Sequence, residues 1–121
     1  MTPADESGRR ILVVEDDAIT LSAIRMVLRW EGYVVDCARN GREALDKLRS
    51  SAVKPDLILL DLRMPVLDGE QFRQEQQGDP ALRDIPVVVI SGDGSACPDA
   101  SARLHKPFPP TQLLEAVRSW A

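Results

Sequence analysis

Leu57-Ile58-Leu59-Leu60-Asp61 decides the fold. Four consecutive aliphatic residues leave no polar face, so the run reads as a strand buried on both sides, the pattern of a parallel strand inside a sheet. A carboxylate then follows the last aliphatic side chain directly. Working outward, three more short runs share this character: Ile11–Val14, Tyr33–Val35 and Val87–Ile90. Helical patterns lie between them. Over Ala18–Glu31, residues Leu21, Ile24, Val27 and Leu28 share a face, and Gly32 stops the helix. Asn40 can cap a second helix near Arg42–Arg49, with Ala44, Leu45 and Leu48 inward. A weaker third helix begins near Gly69 and Glu70 and fades at Gly78-Asp79-Pro80. A last helix runs from about Pro110 to Trp120, with Leu113, Leu114 and Val117 inward and prolines where its N-terminus wants them. Arg103-Leu104-His105 stands where a fifth strand belongs. Strands alternating with helices predict an α/β fold, a doubly wound parallel sheet with right-handed crossovers.

Composition bounds the rest. A chain of 121 residues is one domain long, with a tail over residues 1–9 and the folded domain over 10–121. At 44% hydrophobic it has enough apolar surface for a packed core. A net charge of -4, with basic residues scattered, argues against direct nucleic-acid binding, which wants a basic face. No apolar run reaches membrane-spanning length, and MTPADESGRR lacks the apolar centre of a signal peptide. Cys37 and Cys97 have no metal-ligand spacing and read as unpaired buried thiols. These observations together predict a soluble cytoplasmic domain.

In open parallel sheets, ligands bind beyond the carboxyl ends of the strands. Glu15-Asp16-Asp17 ends the first strand, Asp61 the third, Ser91 the fourth and Lys106-Pro107 the fifth. Folding brings these groups to one rim. Carboxylates from two strands offer hard oxygen ligands, suited to Mg2+ or Mn2+ rather than zinc. Packed acids repel one another until a cation joins them. An ammonium from Lys106 can balance a further negative group, and the Ser91 hydroxyl can donate to an incoming oxygen. A carboxylate nucleophile, a divalent metal, a lysine and a hydroxyl make a phosphoryl-transfer site. Taken singly, Ser91 reads as an ordinary strand-end hydroxyl and Lys106 as a surface charge; only the constellation gives them a role.

At these residues the chain resembles the receiver domains of response regulators. It reads ILVVEDD over 11–17, LILLDLRMPVLDG over 57–69, VVVISG over 87–92 and HKPF over 105–108. The four blocks stand in the family's order, and the resemblance runs from about Arg10 to the end. It implies a flavodoxin-like strand order, 2-1-3-4-5, and a two-component signalling role. Asp61 matches the aspartate that accepts a phosphoryl group from a histidine kinase or a histidine phosphotransfer protein. Asp16 matches the direct metal-binding acid, with Glu15 its neighbour. Asp61 itself and the backbone carbonyl of Arg63 match the other ligands to Mg2+. Ser91 and Lys106 match the hydroxyl and the lysine that meet the phosphoryl oxygens, and the Lys106–Pro107 bond is cis in the family. Such a domain catalyses only its own phosphorylation and dephosphorylation, and is a switch rather than an enzyme. Its downstream partner is not readable, nor whether the chain is a stand-alone receiver or a fragment of a longer protein.

Departures from the family carry expectations of their own. Arg103 stands where an aromatic is common, three residues before the lysine. An arginine is not buried there without a partner, so a coupled inward turn of that side chain is not expected. His105 reads as a surface or packing histidine. Arg63 and Asp93, two residues beyond Asp61 and Ser91, are expected to pair across the route of hydrolytic water. Ser91 and Lys106 are only 15 positions apart, and Gly92–Ser101 holds Gly92, Gly94 and Pro98. A crossover with its helix takes at least about 10–12 residues, so the fourth helix, between the fourth and fifth strands, is expected to be missing or much reduced. One sheet face over Val87–Ile90 would then lose its cover and invite a partner or a homodimer. The other readings are a flavodoxin-like cofactor protein, a small aspartyl phosphatase and a degenerate receiver acting as a phosphorylation-independent interaction module. The acids after the first strand repel a cofactor phosphate, and Arg63 fills the place of a phosphatase's general acid. The degenerate receiver stays as the alternative.

Overall fold

Side chains alternate across a strand, so a strand with no polar face must feed two cores. A computed structural model describes residues 8–63, 67–92 and 100–121 of the chain. Its elements in chain order are β1 (Arg10–Val14), α1 (Ala18–Trp30), β2 (Val34–Ala38), α2 (Gly41–Ser50), β3 (Leu57–Asp61), α3 (Gly69–Gln77), β4 (Val87–Ser91), β5 (Ala102–His105) and α4 (Pro110–Trp120). The five strands are all parallel, in the order β2-β1-β3-β4-β5. Leu12, Val14, Ile58, Leu60, Val87 and Val89 face one side, where Ala44, Leu45 and Leu48 of α2 and Phe72 of α3 meet them. Ile11, Val13, Leu57, Leu59, Val88 and Ile90 face the other, against Leu21, Ile24 and Leu28 of α1 and Leu113 and Val117 of α4. Truncating one of these, such as Leu59→Ala, costs about 2–5 kcal/mol.

Local chemistry sets the helix ends. Asp17 caps α1, accepting from the Thr20 N–H at 3.1 Å. At its far end Gly32 has φ 95°. The Gly32 N–H donates to Arg29 O and the Tyr33 N–H to Leu28 O, a Schellman turn that needs glycine. Asn40 caps α2 through the Glu43 N–H at 2.8 Å. Asp68 and Gln71 cap α3 reciprocally, at 2.9 and 3.0 Å.

Three expectations are modified. β2 begins one residue later and runs three further than its apolar run, through Asp36 and Cys37, because an edge strand tolerates exposed side chains. Cys37 is half-buried, and burial pushes its thiol up. The sheet face over Val87–Ile90 is not stripped: all four side chains are buried, Val87 and Val89 in the cluster that holds Leu82, with Ile85 and Ala100 packed against it. That burial removes the ground for a partner or a second copy at this face. The missing or reduced helix between β4 and β5 falls on residues 93–99, and the N-terminal tail mostly on 1–7, outside the described residues.

Candidate functional site

Because the strands are parallel, their carboxyl ends share an edge, and the polar residues predicted to meet there do. Asp61 is the last residue of β3, Ser91 the last of β4, Glu15 and Asp16 follow β1, and Lys106 follows β5. Together with Asp17, Arg63 and Gly92, all of these except Ser91 line an open cleft of about 290 Å³. Ser91 is fully buried beneath it, and the Lys106 N–H donates to its carbonyl at 2.8 Å. The Lys106–Pro107 peptide is cis.

The charges are packed closely. The Lys106 ammonium donates to Glu15 Oε1 at 2.8 Å and to Asp61 Oδ2 at 3.2 Å. Asp61 Oδ1 accepts the Arg63 N–H at 3.0 Å, and Glu15 Oε2 the Asp17 N–H at 3.2 Å. Glu15 is fully buried and Asp61 only 4% exposed. Burial first, and then a hydrogen bond shared with Asp61, push the Glu15 carboxyl up to about 7, against the opposing pull of Lys106. Desolvation pulls the Lys106 ammonium down, but hydrogen bonding and charge from Glu15 and then Asp61 outweigh it and push it up.

One lysine thus serves two buried carboxylates, and Asp16 adds a third at the rim. Glu15, Asp16 and Asp61 each offer an oxygen, and these lie within 4.8 Å of one another. Such a set is under-neutralised, and its all-oxygen donors fit a divalent hard cation. Asp61 also has the Lys106 ammonium at hydrogen-bond distance, and a carboxylate is a group able to serve as a nucleophile.

Sequence reasoning missed Arg39, whose guanidinium donates to the Asp16 carbonyl at 3.2 Å. No linear spacing signals it; it follows from β2 lying beside β1. Arg103 and His105 are exposed on β5. The expected partner of Arg63, Asp93, lies outside the described residues, as do Met64, Pro65 and Cys97. No helix among the described residues is long and apolar enough to cross a membrane.

Comparison with known proteins agrees with this geometry. The response regulator receiver domain family matches residues 11–118. The response regulator MprA of Mycolicibacterium vanbaalenii is 40% identical over 119 residues, covering 91% of this chain and 49% of the relative. The chain therefore spans about half the length of the curated relatives it matches. Among solved structures, the chemotaxis response regulator CheY4 of Vibrio cholerae superposes with a TM-score of 0.83 at 27% identity, over 93% of this chain and 98% of that one. The receiver domain of a Pseudomonas aeruginosa sensor histidine kinase, with a magnesium ion coordinated in its active-site cleft, gives 0.84 at 27% identity, over 93% and 96%. The chain belongs to the response regulator receiver domain family.

Proposed function

We propose that this domain is switched by phosphorylation of Asp61, with a histidine kinase or a histidine phosphotransfer protein as donor and Mg2+ (or Mn2+) as cofactor. The observation that carries the reading is the Asp61 carboxylate, buried at the end of β3 with the Lys106 ammonium at 3.2 Å and two further acids beside it. Glu15, Asp16, Asp61 and the Arg63 carbonyl would hold the metal, which supplies charge neutralisation for the phosphoryl oxygens. Asp61 attacks phosphorus as its oxygen–phosphorus bond forms. The donor's nitrogen–phosphorus bond breaks in line, and its electron pair returns to the departing imidazole. In this reading Lys106 turns from Glu15 toward the new dianion, and Ser91 offers its hydroxyl from the end of β4. The product is a changed surface rather than a released chemical, so turnover is not the domain's purpose. The surface is read by a downstream protein or an attached domain.

Incubation with a small-molecule phosphodonor tests this. With Mg2+ the chain gains one acid-stable, base-labile phosphoryl group; without Mg2+, or in Asp61→Asn, it gains none. Labelling that survives Asp61→Asn contradicts the assignment. A wild-type chain that is never labelled identifies the phosphorylation-independent interaction module instead.

A further inference from the structure

The backbone behind Asp61 is held by two glycines whose missing side chains leave no room for a substitute. Gly69 is the first residue of α3. A Cβ there would lie 2.6 Å from Leu62 Cα, 2.8 Å from Leu62 Cδ2 and 2.9 Å from the Asp61 carbonyl oxygen. The Gly69 N–H donates to Leu62 O at 3.1 Å, so α3 begins in contact with the last residue of β3 and the one that follows it. Gly41, the first residue of α2, makes a second contact further along. Its N–H donates to Leu67 O at 3.0 Å, and a Cβ there would collide with that same oxygen. Neither glycine has a positive φ; the constraint is space, not backbone conformation. In both, the nearest atoms are backbone, so relief cannot come from turning a side chain alone.

What these contacts hold is specific. Asp61 and Arg63 belong to the same short stretch as Leu62 and Leu67, and Arg63 is tied to the acceptor by its N–H at 3.0 Å from Asp61 Oδ1. Resting on the metal reading above, we propose that Gly69 and Gly41 are positioning residues for the metal site: close approach of α3 and α2 seats the backbone of Asp61, Leu62 and Leu67, and through it the Arg63 carbonyl. They touch neither metal nor phosphoryl group. A methyl at either place must push this backbone outward.

The experiment is titration of the whole chain with Mg2+ alone, heat of binding being read on samples shown folded by circular dichroism. Gly69→Ala and Gly41→Ala are each expected to raise the Mg2+ Kd by about tenfold or more, as loss of outer support for metal ligands commonly does. The rate of labelling by a small phosphodonor should recover toward wild type when Mg2+ is raised to saturation, which a general loss of fold would not allow. Gly78→Ala is the control: its Cβ would meet nothing nearer than 3.5 Å, and its Kd should not move. Asp68→Ala serves if the alanine variants do not fold, since it frees the first turn of α3 without a clash and should also raise Kd. Wild-type Kd in folded Gly69→Ala and Gly41→Ala, or in Asp68→Ala where those do not fold, overturns the inference and leaves the metal reading intact. A wild-type chain that takes up no Mg2+ overturns both.

Discussion

Glu15 and Asp17 are two residues apart, are both carboxylic acids and have opposite effects. Glu15 is buried, shares Lys106 with Asp61 and is pushed up to about 7 by its burial. Asp17 is exposed and caps α1, where the Thr20 hydroxyl and N–H hold its carboxyl below the usual range. A buried under-neutralised acid costs folding free energy and prepares a site for a cation. A capping acid stabilises its helix and prepares nothing. Adjacent acids in a motif therefore need not share a role; burial separates them.

The largest effect is expected where the comparison is broken at its cation. Lys106→Met removes the ammonium bound to both buried acids, so the rate of phosphorylation at saturating Mg2+ should fall by about 100-fold or more. Stopped-flow labelling checks this. A drop smaller than tenfold would mean that Lys106 serves the resting site and not the transfer.

The next prediction is the pH dependence of stability without metal. The folded Glu15 carboxyl lies near 7 against an ordinary 4.5. A raised folded value favours the protonated native state, so its contribution is present below 4.5 and is lost as pH rises through about 7. In chelator, the melting temperature should fall across this window. Glu15→Gln should flatten the fall, raise stability at neutral pH and weaken Mg2+ binding. A metal-free wild type that grows more stable from pH 5 to 7.5 would contradict the burial argument.

Asp17→Ala should do the reverse. It removes a cap and lowers the melting temperature by a few degrees, with the Mg2+ Kd unmoved. Because the folded carboxyl is held low, the contribution of Asp17 is present above its ordinary 3.8 and is lost as pH falls below that value. Smallest of all is Arg118→Ala. Its pair with Glu31 at 3.3 Å joins α4 to the end of α1 in solvent, and such pairs contribute about 0–1 kcal/mol. Urea melts of these variants sharpen the contrast between an exposed pair and the Lys106 cluster.

The central strands were legible because Ile11–Val14, Leu57–Leu60 and Val87–Ile90 are apolar on both faces, and only a doubly covered sheet accepts that. β2 was read short because Asp36 interrupts its run, and an edge strand can leave that side chain outside. α3 read weakly for a similar reason. Its buried face includes Arg73 and Gln76, whose Nε2 donates to Leu82 O and Ile85 O, so hydrogen bonds replace part of an apolar stripe. The expected loss of cover over Val87–Ile90 is not met, since all four side chains are buried, and burial of this kind is not readable from loop length. At the site, residue types and strand ends placed the acids and Lys106 on one rim. The grip of Lys106 on Glu15, 91 positions away, is a three-dimensional fact. The same holds for the contact between Gly41 and Leu67, whose spacing carries no periodic signal.

The most direct test is chemical trapping of the phosphorylated chain. Borohydride reduces an acyl phosphate to the alcohol, so an aspartyl phosphate becomes homoserine, which peptide sequencing by mass spectrometry locates. After treatment with phosphodonor and Mg2+, homoserine is predicted at position 61, and nowhere when Mg2+ is withheld. Homoserine at position 16 or 17, or phosphate on Ser91 or His105 with Asp61 unmodified, would contradict the account.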